Sequence, residues 1–180
     1  MSEGVRGIPV RVAAWTRRNW KAVRFCLIAG GILGVWSVWY PSLVNMRALE
    51  GLLEFVAGLT GRVLAVLGGE VEVAGTLVFS PEFSMRIAPE CTAVVPMVIL
   101  LSGVVAYPSS IRQKALCLVL GLPLLFLLNL VRTVSLFYIG VSFPDFFDTA
   151  HFVVWQSVMI LAVIAVWLFW VGKVVNVRPT

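Results

Sequence analysis

The 180-residue sequence predicts a mainly α-helical, polytopic membrane protein. It should hold about four transmembrane helices, an interfacial amphipathic helix and a small extracytoplasmic β-hairpin or meander. Three observations carry this. Hydrophobic residues make up 60% of the chain and charged residues 13%, with mean hydropathy +0.97, whereas soluble domains hold about 25% charged residues. Four apolar runs approach the ~20 residues that a helix needs to cross a bilayer. Basic residues sit in short segments beside those runs, the placement that orients membrane proteins. A net charge of +5 and a pI of 9.6 are thereby explained by the bilayer, and no nucleic-acid partner is expected.

Taken in order, residues 1–180 read as one membrane domain. Residues 1–22 form a basic N-terminus and 23–40 the first span. No small-residue cleavage site follows that span, so it is expected to be a retained helix, not a removed signal peptide. Residues 41–90 are the largest segment between spans. Within it, 46–67 places Leu49, Leu52, Leu53, Val56 and Leu59 at helical spacing, with Glu50, Glu54 and Arg62 elsewhere. That pattern suits an amphipathic helix in the membrane interface, ended by Gly68-Gly69. A further span here is the competing reading, and it would reverse the sidedness of everything downstream. Residues 70–74, 77–79 and 83–87 show period-two alternation bounded by Gly and Pro, which predicts short strands leading to Cys91. The remaining spans are expected at 91–107, 115–141 and 152–171, followed by a tail at 172–180.

An N-terminus inside the cell puts Arg6, Arg11, Arg17, Arg18, Lys21, Arg24, Arg112, Lys114, Lys173 and Arg178 in cytoplasmic segments, with Glu3 as their only acid. Arg47, Arg62 and Arg86 fall outside among eight acids, and Arg132 falls within the third span. Lys/Arg bias of this kind predicts both termini in the cytoplasm. Cys91 then lies at the outer start of the second span and His151 at the outer start of the fourth. Arg132 follows Lys114 by 18 residues, about 27 Å of helix rise, which brings it to the same outer depth.

Each of the three has a plainer reading alone: a small buried hydrophobe, a snorkelling arginine, a structural histidine paired with Asp148. Cys26 and Cys117, at the cytoplasmic ends, fit the first of these. Together the three supply a nucleophile, a base and a stabiliser of oxyanion charge, which acyl transfer requires. Asn129, three residues before Arg132, shares its helical face and is expected to partner it. The cysteines show no CxxC spacing, and the single histidine with few acids signals neither metal nor cofactor.

These residues resemble the exosortase/archaeosortase transpeptidases of prokaryotic membranes. The resemblance rests on Pro89-Glu90-Cys91-Thr92, on Asn129-Leu130-Val131-Arg132 and on His151 leading into the last span, and it covers about residues 68–171. Ala93 departs from the glycine that many members carry there. With four expected spans, the chain is similar to the compact subgroups, the exosortase H type. The resemblance implies a cell (inner) membrane enzyme that cleaves the C-terminal sorting signals of secreted precursor proteins: a short motif, a transmembrane helix and a basic tail. It implies Cys91 as the nucleophile forming a thioester, His151 as general base and acid, and Arg132 at the oxyanion. Thr92, Asn129 and Asp148 would bind substrate or support the three. The rival reading is a non-enzymatic transporter or channel subunit with Arg132 as its functional charge. A thiol oxidoreductase would need a second outer cysteine, and an aspartic peptidase built on Asp145 and Asp148 would need its acids on separate elements.

Overall fold

The computed structural model describes residues 18–44 and 47–175. Most of the basic N-terminus, residue 46 of the amphipathic segment and the end of the tail thus lie outside the described residues. Helix α1 (Trp20–Val44) is followed by α2 (Arg47–Val66), strands β1 (Glu72–Ala74), β2 (Leu77–Phe79) and β3 (Ser84–Arg86), α3 (Val94–Ala106), α4 (Ile111–Ser142) and the helical segment α5 (Pro144–Val175). Helices α1, α4 and α5 are long and apolar enough to cross a membrane. The protein is therefore a mainly α-helical polytopic membrane protein with a small antiparallel sheet.

Helix α2 is amphipathic as its sequence predicts. Val56, Ala57, Thr60 and Leu64 form a buried stripe, and the helix packs on α4 and the sheet. Thr60 Oγ1 and Thr133 Oγ1 meet at 3.0 Å in that contact, so two buried hydroxyls satisfy each other. Gly68 ends the helix at φ +88°, a conformation open to glycine at no steric cost. Its N–H donates to Ala65 O and that of Gly69 to Leu64 O, both at 3.0 Å, the paired closure of a Schellman cap.

The strands form a three-stranded antiparallel sheet of order β1-β2-β3. Val78 and Met85 are cross-strand partners and both buried, so one face of the meander is core. Phe83, at the turn into β3, packs edge-on against Phe137 with centroids 5.6 Å apart and against Phe147 at 5.5 Å. A Cβ at Gly140 would fall inside the Phe83 ring, so this glycine lets the sheet close onto α4.

Two cores follow the length of the bundle. Val56, Leu64, Val78, Ile87, Cys91 and Leu136 belong to the one that joins α2 and the sheet to α4. Leu100, Val104, Cys117, Leu125, Val163 and Trp170 belong to the other, among α3, α4 and α5. At that second end a Ser110–Gln113 capping box starts α4. Gln113 also donates to Val174 O at 3.0 Å and accepts from Trp170 Nε1 at 2.8 Å through its carbonyl.

Expected boundaries move, by a few residues in α1 and at the start of α4 and more tellingly in the other two spans. The helix of the second span covers 13 residues, about 20 Å of rise, instead of 91–107. Pro89–Cys91 is a 3-10 turn and Thr92 is extended at φ −98°, ψ 157°, so α3 cannot begin before Val94. Tyr107, extended ahead of Pro108, stops it at the other end, as a residue before proline tends to. The last helical segment, in contrast, opens at Pro144, not at 152. Proline is tolerated in the first turn of a helix, and the 3-10 turn Pro144–Phe146 runs on through Phe147–Thr149 into a π-helical stretch, Ala150–Trp155.

Candidate active site

Cys91 closes the 3-10 turn that sits between the sheet and α3. Its own N–H donates to Ala88 O at 2.8 Å, and the Thr92 N–H donates to Pro89 O at 3.1 Å. The Thr92 hydroxyl donates to the same Pro89 carbonyl at 2.7 Å. Thr92 thus fixes the turn that carries the thiol. Asn129 donates from Nδ2 to the Cys91 carbonyl at 2.8 Å. It is 1% exposed and its Oδ1 has no hydrogen-bond partner. The expectation that Asn129 partners Arg132 is corrected here: its amide holds the cysteine backbone instead.

His151 lies inside the π-helical stretch of α5 rather than at a helix start. A π turn widens the helix by one residue and redirects the side chains it carries, and such turns are common at functional sites. Here the ring reaches across to α3's leading turn, with Nε2 at 3.6 Å from Cys91 Sγ. Phe152 packs at 4.5 Å between ring centroids and Phe147 at 5.9 Å, so the imidazole is held by aromatic neighbours. Asp148 stands one turn earlier and lines the same cleft.

Arg132 is 2% exposed, on the α4 face that also buries Asn129, Thr133 and Leu136. The field of its guanidinium falls on both Cys91 and His151. Its Nε is buried without a hydrogen-bond partner. An unpaired buried donor is costly, and such a group calls for an explanation in the chemistry around it.

Cys91 and His151 border a cleft of about 360 Å³ whose walls also include Phe83, Met85, Arg86 and Asp148, while Arg132 is buried outside that lining. Arg86 was not singled out by the sequence beyond its charge, although its place in the alternating 83–87 run set it opposite the buried Met85. Glu90, which the sequence places in the motif beside Cys91 without a role, is an electrostatic neighbour of the site. Its carboxylate acts on Cys91, His151 and, from α1, Tyr40. Among the described residues no group of three or more His, Cys, Asp or Glu side chains is arranged to hold a metal ion.

Burial pushes the Cys91 thiol above its ordinary value, and Glu90 adds to this, while the bond from the Ala88 segment and the Arg132 guanidinium pull it down. The resting thiol is consequently neutral and needs a base to become a nucleophile. In a Cys26→Ala, Cys117→Ala background, alkylation of Cys91 by a neutral maleimide should be slow at pH 7. It should accelerate only above the ~8.5 of an ordinary thiol. Because the guanidinium lowers the thiol's value, Arg132→Gln should move that rise to still higher pH. An unchanged profile in the variant would show that Arg132 does not act on the sulfur.

Comparison with protein families gives one informative result: the model described as transmembrane exosortase (EpsH) matches residues 9–172. Neither the curated proteins nor the solved structures yield a match. The matched stretch runs through the cysteine turn, α4 and the π-helical segment that bring the three polar side chains together, and the chain belongs to the transmembrane exosortase family.

Proposed function

We propose that this protein is a membrane-embedded cysteine transpeptidase that cleaves C-terminal sorting signals of membrane-anchored precursors through a thioester acyl-enzyme. The observation that carries the reading is the 3.6 Å approach of Cys91 Sγ to His151 Nε2, within the field of the buried Arg132 guanidinium. In the reaction, His151 Nε2 takes the thiol proton as sulfur attacks the scissile carbonyl carbon. The oxygen gains negative charge near the Arg132 guanidinium, whose unpartnered Nε offers it a donor. The C–N bond then breaks, the imidazolium returns its proton to the leaving amine, and the acyl group remains on Cys91 as a thioester. An amine, a lipid headgroup or water resolves that intermediate. Asn129 and Thr92 hold the turn so that sulfur and imidazole stay in register.

The distribution of Lys and Arg supports a cell (inner) membrane protein with both termini cytoplasmic and the cleft at the extracytoplasmic face. The resemblance of the motifs supports the substrate class: a short motif, a transmembrane helix and a basic tail. The test is to incubate the protein in nanodiscs with a precursor of that form from the same cell, quench in acid, and map adducts by mass spectrometry. A hydroxylamine-sensitive mass increase on the Cys91 peptide is expected. Turnover of the precursor with no adduct on Cys91 would sink the reading.

A further inference from the structure

We infer that β3 is a template for substrate: the peptide segment next to the scissile bond docks in extended form as a fourth strand on the free edge of β3, and so is led to Cys91. This rests on the acyl-transfer reading above and names how its substrate is held.

The register of the sheet gives the first support. Phe83 O accepts from Ser80 N–H at 2.8 Å, and Ile87 N–H donates to Thr76 O at 2.8 Å. These two pairs bracket the Val78–Met85 partnership. In an antiparallel ladder the residues that bond to one neighbour alternate along the strand. Residues 83, 85 and 87 therefore turn their N–H and C=O toward β2, and Ser84 and Arg86 turn theirs away from it. Both Ser84 and Arg86 are exposed, and β3 is the terminal strand of the sheet. An edge of unpaired donors and acceptors is what an added strand recognises.

The position of that edge gives the second support. Ser84, Arg86 and Ala88 all line the cleft that holds Cys91 and His151. The other edge strand, β1, has no residue in this cleft. Chain continuity keeps the two close as well: only four residues separate Arg86 from Cys91, and the last of them lead into the 3-10 turn Pro89–Cys91. A peptide paired to Ser84 and Arg86 thus runs along the wall of the cleft that holds the thiol. Phe83, locked against Gly140, Phe137 and Phe147, keeps the edge rigid against α4 and α5. Main-chain pairing supplies affinity without reading sequence, and alternate side chains of the guest would face the cleft wall. The class of ligand is an extended, unstructured peptide. A helix, whose backbone groups are already paired within itself, cannot present them to this edge.

The experiment uses the protein in nanodiscs with Cys26→Ala and Cys117→Ala, and a probe of fixed chemistry. The probe is an acetylated hexapeptide of alternating alanine and valine ending in cysteine activated as a pyridyl disulfide. Attack by Cys91 breaks the probe's disulfide, releases pyridinethione and leaves the peptide tethered by a new disulfide. Amide hydrogen exchange is then read at Ser84, Met85 and Arg86. Slowing by at least about tenfold at Ser84 and Arg86 is expected, with Met85, already in the ladder, unchanged. N-methylation at alternate peptide positions should remove the protection in one phase and spare it in the other. Pyridinethione release with no change at Ser84 and Arg86 overturns the strand docking and leaves the cysteine chemistry standing. If a small maleimide labels Cys91 but the peptide does not, the docking is likewise overturned. Reaction with neither reagent at any pH overturns the acyl-transfer reading and the docking with it. Protection that grows with protein concentration in the absence of peptide would assign the edge to a second copy of the chain, against the proposal.

Discussion

Cys91→Ala is expected to abolish precursor cleavage, with a loss on the order of 10⁶, the scale seen when an acyl-transfer enzyme loses its nucleophile. The substitution is a clean one because the interactions that shape the turn are made by main chain. Asn129 binds the Cys91 carbonyl, and the Cys91 N–H binds Ala88 O; both survive the loss of sulfur. The thermal midpoint should stay close to that of the parent, and the cleft should keep its form. Precursor cleavage followed by immunoblot, beside a melting curve in detergent, checks both halves. The rival reading of a transporter or channel subunit makes the opposite forecast, since an inert buried cysteine can become alanine without loss of function. Cleavage at wild-type rate by the alanine variant would remove Cys91 as the nucleophile, and absence of cleavage by the parent protein would decide for that rival.

Arg132→Leu should move stability and activity in opposite directions. A guanidinium with 2% exposure and an unpartnered Nε has given up hydration for incomplete compensation. Replacing such buried ionic groups by apolar ones of similar size is often stabilising by about 1–4 kcal/mol. Leucine also matches its neighbours Leu125 and Leu136 on the buried face of α4. Acyl transfer should fall by about 10²–10³, the cost of losing one donor to a developing oxyanion. Arg132→Lys keeps the charge but not the planar fork, and should recover only part of the rate. Thermal unfolding and single-turnover acylation of the two variants measure these effects. A leucine variant that melts lower and cleaves normally would recast Arg132 as a structural residue.

How much of this was legible beforehand differs by element, for physical reasons. The sheet could be read because Glu70–Val71–Glu72–Val73 and Phe83–Ile87 alternate, and a half-buried strand writes that alternation into its sequence. Helix α2 announced itself through its stripe of Leu52, Leu53 and Val56, and Gly68 through the turn only glycine makes easily. Cys91, Arg132 and His151 were found because charge counting put three rare residue types at one depth. The start of α3 was harder. An apolar run looks the same whether its first residues are helical or extended, and only the bonds around Pro89 and Thr92 separate the two. Asn129 was placed on the correct face yet given the wrong partner, since a periodicity says which side a residue faces and not which backbone carbonyl waits there. Arg86 and Ser84 went unread for a related cause: the direction of an edge strand's N–H groups depends on register, which no local pattern encodes.

The π-helical stretch at Ala150–Trp155 has a consequence for how this chain can vary in length. Such a stretch is in effect an α-helix with one residue too many, tolerated at some cost in stability. Deleting a single residue from 153–155 would let the segment relax to an α-helix. With Met159, Val163 and Trp170 anchored in the bundle, everything before the deletion must then turn by about 100° about the helix axis. His151 would swing away from the sulfur, and the shortened protein should melt higher while its cysteine loses its base. Chain length in this one stretch is therefore held by chemistry against the pull of stability.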